Sequence, residues 1–151
     1  MDASQEDFIR RLPVMAGLDE AALQFLAGLA GEEQHAAGGV IVREGERGDR
    51  VYFVRTGRVR VIKEPAGEPA VQLAEFGPGD FFGEMSLVES VVRSASVIAT
   101  EPTRVFTLKS MDFYKLYRSR PDQYGIVVLN IARDLARRLR QLDEHFCHVS
   151  V

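Results

Sequence analysis

Residues 81–97 read FFGEMSLVESVVRSASV. A turn glycine, Gly83, is followed by a carboxylate, Glu84, and by a short apolar stretch of Met85, Leu87 and Val88. Nine residues after the carboxylate comes Arg93, then the small residues Ser94, Ala95 and Ser96. A glycine that opens a short helix lets backbone N–H groups approach an anion closely, and the helix start carries partial positive charge. An arginine adds a planar fork that holds a phosphate through two parallel hydrogen bonds. An ionised glutamate only accepts hydrogen bonds, which suits a sugar hydroxyl and repels a phosphate. A small ligand with one phosphate and one ribose hydroxyl satisfies the whole set, which points to a cyclic nucleotide. The competing reading of Glu84 and Arg93 is a surface ion pair, worth about 0–1 kcal/mol.

Outward from this segment, the chain reads as helices, then a β-rich middle, then helices. From about Gln5 to Gly31, Phe8, Ile9 and Leu12 share a helical face. Pro13 breaks that run, and Asp19 caps a second helix carrying Ala22, Leu23, Phe25, Leu26 and Leu29. Gly38-Gly39 marks a change of period, and the helical N-terminal part is assigned to residues 5–37. Residues 38–109 hold short runs rich in Val, Ile, Phe and Tyr (VIV, VYFV, VRVI, VQLAEF, SVIA, RVFTL), separated by turn clusters. Their spacing predicts an antiparallel sandwich or barrel. Val51 and Phe53 alternate with Tyr52 and Val54, as in a strand. Ser110 is placed to cap a helix starting near Met111, and a long helix follows Pro121, over about 122–148. The fold class is α+β, in one domain spanning 1–151 with helices over 111–148.

Composition narrows the function classes. Hydrophobic residues make up 46% and charged residues 27%, ordinary for a soluble globular chain. A net charge of −3 argues against non-specific nucleic-acid binding. The single cysteine, Cys147, cannot form an intrachain disulfide. No apolar run approaches a membrane span, and the acidic start MDASQEDF has no signal-peptide core, so a cytoplasmic location is expected. His145, Cys147 and His148 lack a fourth ligand, so no metal site is expected. The β region contains no histidine, unlike cupins, and no Ser/His/Asp set, P-loop or G-x-G-x-x-G is present. The chain is not expected to be an enzyme.

The 81–97 segment resembles the phosphate-binding cassette of cyclic nucleotide-binding domains, as in catabolite-activator-type regulators, protein kinase A regulatory subunits and cyclic-nucleotide-gated channels. The likeness extends upstream through Gly45, Gly48, Asp49, Tyr52 and Gly57, and through the run Gly77-Pro78-Gly79-Asp80. It implies an eight-stranded antiparallel β-roll, a jelly-roll-like barrel, with N-terminal helices and a long C-terminal helix. It implies that Phe82 opens the ligand segment, Glu84 accepts from the ribose 2′-hydroxyl and Arg93 pairs with a phosphate oxygen. Backbone N–H groups of Gly83, Met85 and Ser86 complete the anion site, with those of Ser94 and Ala95 adding to it. Val92 stands where the family often has proline, and Ser86 where alanine is frequent; neither change deletes a ligand group. Ser94 carries the hydroxyl that bears on base choice and inclines the reading to cAMP, with cGMP as the alternative. The base is expected to rest on Leu73 and Ala74, for which core packing is the competing reading. Arg133 or Arg137 of the last helix would reach the base in a closed state, with a solvated charged face as the competing reading.

That helix carries a second pattern. Val128, Ala132, Leu135, Leu139, Leu142, Phe146 and Val149 step by alternating fours and threes, a heptad seam. The seam either joins two copies of the chain or folds back on the N-terminal helices. Function is expected to be a cyclic nucleotide sensor that relays binding through its C-terminal helix, toward an effector the sequence does not name. No DNA-reading element is expected after that helix. The rival class is an interaction module with a degenerate pocket, and the chain is either a stand-alone sensor or part of a larger channel, kinase or regulator.

Overall fold

The computed structural model describes residues 3–87 and 92–149, with side chains through residue 144. Val88, and the side chains of His145, Phe146, Cys147, His148 and Val149, lie outside the described residues. Helix α1 (Ala3–Arg11) buries Ile9, and a 3-10 turn at Pro13–Met15 buries Val14 and Met15. Helix α2 (Glu20–Leu29) begins at Asp19, whose carboxylate accepts from the Ala22 N–H at 2.9 Å, satisfying an end donor the helix cannot pair itself.

Among the described residues eight strands follow, in two antiparallel four-stranded sheets. One sheet has the order β1 (Gly31–His35), β8 (Thr103–Lys109), β3 (Arg50–Thr56), β6 (Phe81–Phe82). The other runs β2 (Val40–Val42), β7 (Ser96–Ala99), β4 (Val59–Lys63), β5 (Val71–Phe76). The roll is therefore two facing sheets and not a closed barrel. Strand β1 corrects the helical assignment of 5–37. Its sequence, GEEQH, carries no apolar period, and its conformation comes from pairing along β8, from Gly31↔Thr107 to His35↔Thr103. The missing Cβ of Gly31 permits that pairing, since one would sit 2.9 Å from Thr107 Oγ1. Charged residues on an edge strand also discourage pairing with another chain.

The alternation in β3 is real, yet both faces are buried. Val51 and Phe53 face a cluster built with α1, α2 and the last two helices, while Tyr52 and Val54 face a second cluster with Val59, Phe82, Val97 and Val105. Strand β3 thus belongs to both cores.

Helix α3 (Ser110–Ser119) is preceded by Lys109 as its cap, one residue before the expected Ser110. The Asp112 carboxylate accepts from the Lys109 N–H, while Ser110 Oγ donates to the carbonyls of Asp49 and Ser86. Helix α4 (Pro121–Val149) docks by one stripe: Val127 and Ile131 are buried and Leu135 packs partly on the same cluster. Asn130 Nδ2 donates to the carbonyls of Val14 and Ala16, and Gln123 Oε1 accepts from the Asp19 N–H. Of the heptad seam, Leu135 belongs to this docked stripe and the other described residues lie off it. Val128, Leu139 and Leu142 remain 41%, 60% and 49% exposed, so these residues do not fold back on the N-terminal helices.

Candidate functional site

A cavity of about 450 Å³ opens between the second sheet, the segment after β6 and α4. Val42, Val61, Phe76 and Val97 give it an apolar wall. Of the residues singled out in the sequence, Ala74, Phe82, Gly83 and Glu84 line it, as do Met85, Arg93, Ser94 and Ala95.

Gly83 adopts φ +84°, and a Cβ there would meet both Arg50 O and Arg93 Nη1 at 2.9 Å. Only glycine fits a left-handed conformation under those contacts. The chain then enters a single 3-10 turn, Glu84–Leu87, with Glu84 at its start. Arg93 is held from several directions. Its Nη2 donates to Arg50 O at 2.9 Å and Nη1 to Gly83 O at 3.3 Å, and the guanidinium lies 5.9 Å from the centre of the Tyr52 ring. Its backbone is tied to the 45–48 turn: Arg93 N donates to Glu46 O at 2.7 Å, and Gly45 N donates to Arg93 O at 2.9 Å. Gly48 leaves the space for the side chain, since a Cβ there would fall 2.1 Å from Arg93 Cζ. The upstream glycine run thus seats the arginine. Among the described residues no ion pair joins Arg93 to Glu84 or to any other carboxylate.

Nearby charges are arranged around this seat. The Arg50 guanidinium bonds Asp49 at 2.8 Å and holds that carboxyl below its usual range. Burial pushes the Tyr52 phenol up. Lys63 Nζ donates to Ser94 O at 2.7 Å and pairs with Glu44, pinning the strand entry after Arg93.

Four singled-out residues, Leu73, Ser86, Arg133 and Arg137, stand off the cavity, Arg137 being exposed and paired with Asp134. Leu73 is 51% exposed, because side chains alternate along β5 and Leu73 points to the face opposite Ala74 and Phe76; the register of β4 against β5 also slips beside it, from Val61↔Ala74 to Ile62↔Gln72. Ala74 and Phe76, two apart, face the cavity instead. Ser86 is buried behind the turn: its N–H donates to Gly83 O at 3.2 Å, and among the described residues its Oγ has no partner. Arg133 is exposed on the outer side of α4.

The helix arginine on the cavity is Arg138. Its guanidinium lies 4.6 Å from the Phe76 ring centre and 4.5 Å from that of Phe81, its Nη2 donates to Phe81 O at 2.8 Å, and its Nε lies 2.7 Å from Asp134 Oδ2. Stacking over two rings satisfies a cation that would be costly to bury alone. The helical period carried the signal for it: Val127, Ile131 and Arg138 are spaced by four and seven, so Arg138 continues the docked face while Arg133 does not.

Among the described residues no helix is long and apolar enough to cross a membrane, and no group of three His, Cys, Asp or Glu side chains is placed to hold a metal. Residues 32–120 match the family model described as cyclic nucleotide-binding domain. The cyclic AMP receptor protein of Thermus thermophilus is 35% identical over 131 residues, covering 87% of this chain and 59% of that protein. A cGMP-dependent protein kinase of Caenorhabditis briggsae is 33% identical over 112 residues, covering 73% of this chain and 15% of the kinase. The crystal structure of Thermus thermophilus catabolite activator protein superposes with a TM-score of 0.75 at 34% identity, covering 91% of this chain and 63% of that one. The chain therefore spans well under two thirds of these curated relatives. A match over more than half of its length, on the segment that builds the cavity, makes this chain a member of the cyclic nucleotide-binding domain family.

Proposed function

We propose that this chain binds cAMP in preference to cGMP and passes the event on through α4. The observation that carries the reading is the seat of Arg93. A guanidinium without a carboxylate partner among the described residues is fixed at a cavity edge by two carbonyls, with Glu84 on the same cavity. A phosphate facing Arg93 and the Gly83 turn, with a ribose hydroxyl facing Glu84, uses both groups. The base then lies toward Ala74 and Phe76, beneath Arg138. Serine at 94 supports adenine over guanine, as does the name of the Thermus relative, while the nematode kinase keeps cGMP as the alternative.

Transmission follows from placement. Arg138 joins α4 to the cavity wall, so any ligand that favours one position of this arginine biases the helix; equal affinity for both positions would shift nothing. The exposed seam of Val128, Leu139 and Leu142 supports a homodimer through α4. A thermal-shift panel of cAMP, cGMP and cyclic dinucleotides tests the ligand. At one hundred times its dissociation constant the true ligand adds about 2.7 kcal/mol of stability. Arg93→Ala should remove that shift for every cyclic nucleotide. A panel without any shift, or a shift that survives Arg93→Ala, overturns the assignment.

A further inference from the structure

Helix α3 carries a second groove, with a lining separate from that of the nucleotide cavity, of about 230 Å³, lined by Leu87, Ser110, Phe113, Tyr114, Tyr117 and Tyr124. Its floor, Phe113, is fully buried, whereas Tyr114 and Tyr117 are 50% and 48% exposed and Met111, beside them on the helix, is 58% exposed. Exposed aromatic area concentrated at a groove is the usual composition of an interface centre. Lys115 and Arg118 stand exposed on the same helix, and neither is paired with a carboxylate among the described residues. The surrounding charge is asymmetric. Residues 110–149, the span of α3 and α4, hold seven Lys and Arg against five Asp and Glu, a net +2 within a chain whose total is −3. Helices α3 and α4 therefore favour an acidic partner, while the rest of the chain repels one.

We propose that this groove docks an acidic peptide segment of a partner protein, with one bulky apolar side chain inserted among the tyrosines and flanking Asp or Glu residues facing Lys115 and Arg118. Single-stranded nucleic acid is the other acidic polymer with an affinity for tyrosine, and the ring geometry disfavours it. Tyr117 packs edge-on against Tyr124 at 5.3 Å and tilted against Tyr114 at 6.2 Å, so the rings enclose a pocket instead of offering parallel faces for bases. The inference does not depend on nucleotide binding, because none of its six lining residues lines the nucleotide cavity.

Selection of phage-displayed random dodecapeptides on the immobilised chain tests it. The expected enrichment is one Leu, Phe, Tyr or Trp flanked by two or more Asp or Glu. Fluorescence anisotropy of a labelled enriched peptide should show affinity falling about tenfold or more in Tyr117→Ser. It should fall again in Lys115→Glu/Arg118→Glu, with weaker salt dependence. Circular dichroism and the cAMP thermal shift, read on the same variants, separate loss of docking from loss of fold and from failure of the nucleotide reading. Enriched peptides without acidic residues, or binding indifferent to both variants, overturn the proposal. So does tyrosine-dependent binding of oligo-dT, or a change of oligomeric state in Tyr117→Ser, which would assign the groove to nucleic acid or to a second copy of the chain.

Discussion

Gly48 and Arg93 lie forty-five residues apart in the chain and form one device. The glycine has an ordinary backbone conformation, so alanine suits it locally, yet the added methyl would sit on the Arg93 guanidinium. Gly48→Ala should therefore displace the arginine while leaving the fold intact. Titration calorimetry should show nucleotide affinity reduced tenfold or more, about 1.4 kcal/mol, with little change in Tm. Undiminished affinity would mean that the Arg93 position is not needed. Glu84→Gln probes the other end of the ligand. Its carboxylate is expected to serve the 2′-hydroxyl, so affinity for cAMP should fall while that for 2′-deoxy-cAMP barely changes; equal losses would remove the ribose role.

The helices divide into docked and open faces. Helix α4 already satisfies its own domain through Val127, Ile131 and Asn130, which leaves Leu139 and Leu142 without an internal partner. Covering each in a dimer is worth about 1.5–3 kcal/mol. Replacing both with Glu should yield a monomer that keeps its Tm and its nucleotide binding. Light scattering that finds the unmodified protein monomeric at high micromolar concentration would refute the zipper. At the start of α2, Asp19 accepts from Arg120 and then from the Ala22 N–H, and both hold its carboxyl below the ordinary aspartate value. A carboxyl depressed in the folded state contributes stability above its unfolded pKa, and that contribution disappears as the pH falls through the folded one. Stability measured from neutral pH down to pH 2 should thus fall less steeply in Asp19→Asn than in the parent; identical slopes would show that the cap is uncoupled from folding.

Across the whole molecule, strand β3 ties the two cores together and Arg138 ties the far half of α4 to the roll. The first link lies in apolar packing and the second in one stacked cation, so they should fail differently. Arg138→Ala removes the contacts with Phe76, Phe81 and the Phe81 carbonyl but leaves Val127 and Ile131 in place. Amide exchange should accelerate in α4 beyond Leu135 and remain slow in β3 and β8, with weaker nucleotide binding. Uniform acceleration over the domain would instead make Arg138 a part of the global core.

The sequence by itself determined the parts whose information is local. The glycine-carboxylate-arginine spacing, the strand runs between turn clusters, the Asp19 cap and the long helix after Pro121 each follow from neighbouring residues. Tertiary structure decided whatever needed a distant partner. Strand β1 is extended because β8 lies beside it, and no periodicity in GEEQH announces that. Leu73 leaves the cavity because β5 turns Ala74 and Phe76 inward, and which of its two faces meets the second core is a choice that one strand alone does not specify. The choice of Arg138 over Arg133 depended on which face of α4 docks. That face is set by burial against helices more than a hundred residues earlier in the chain.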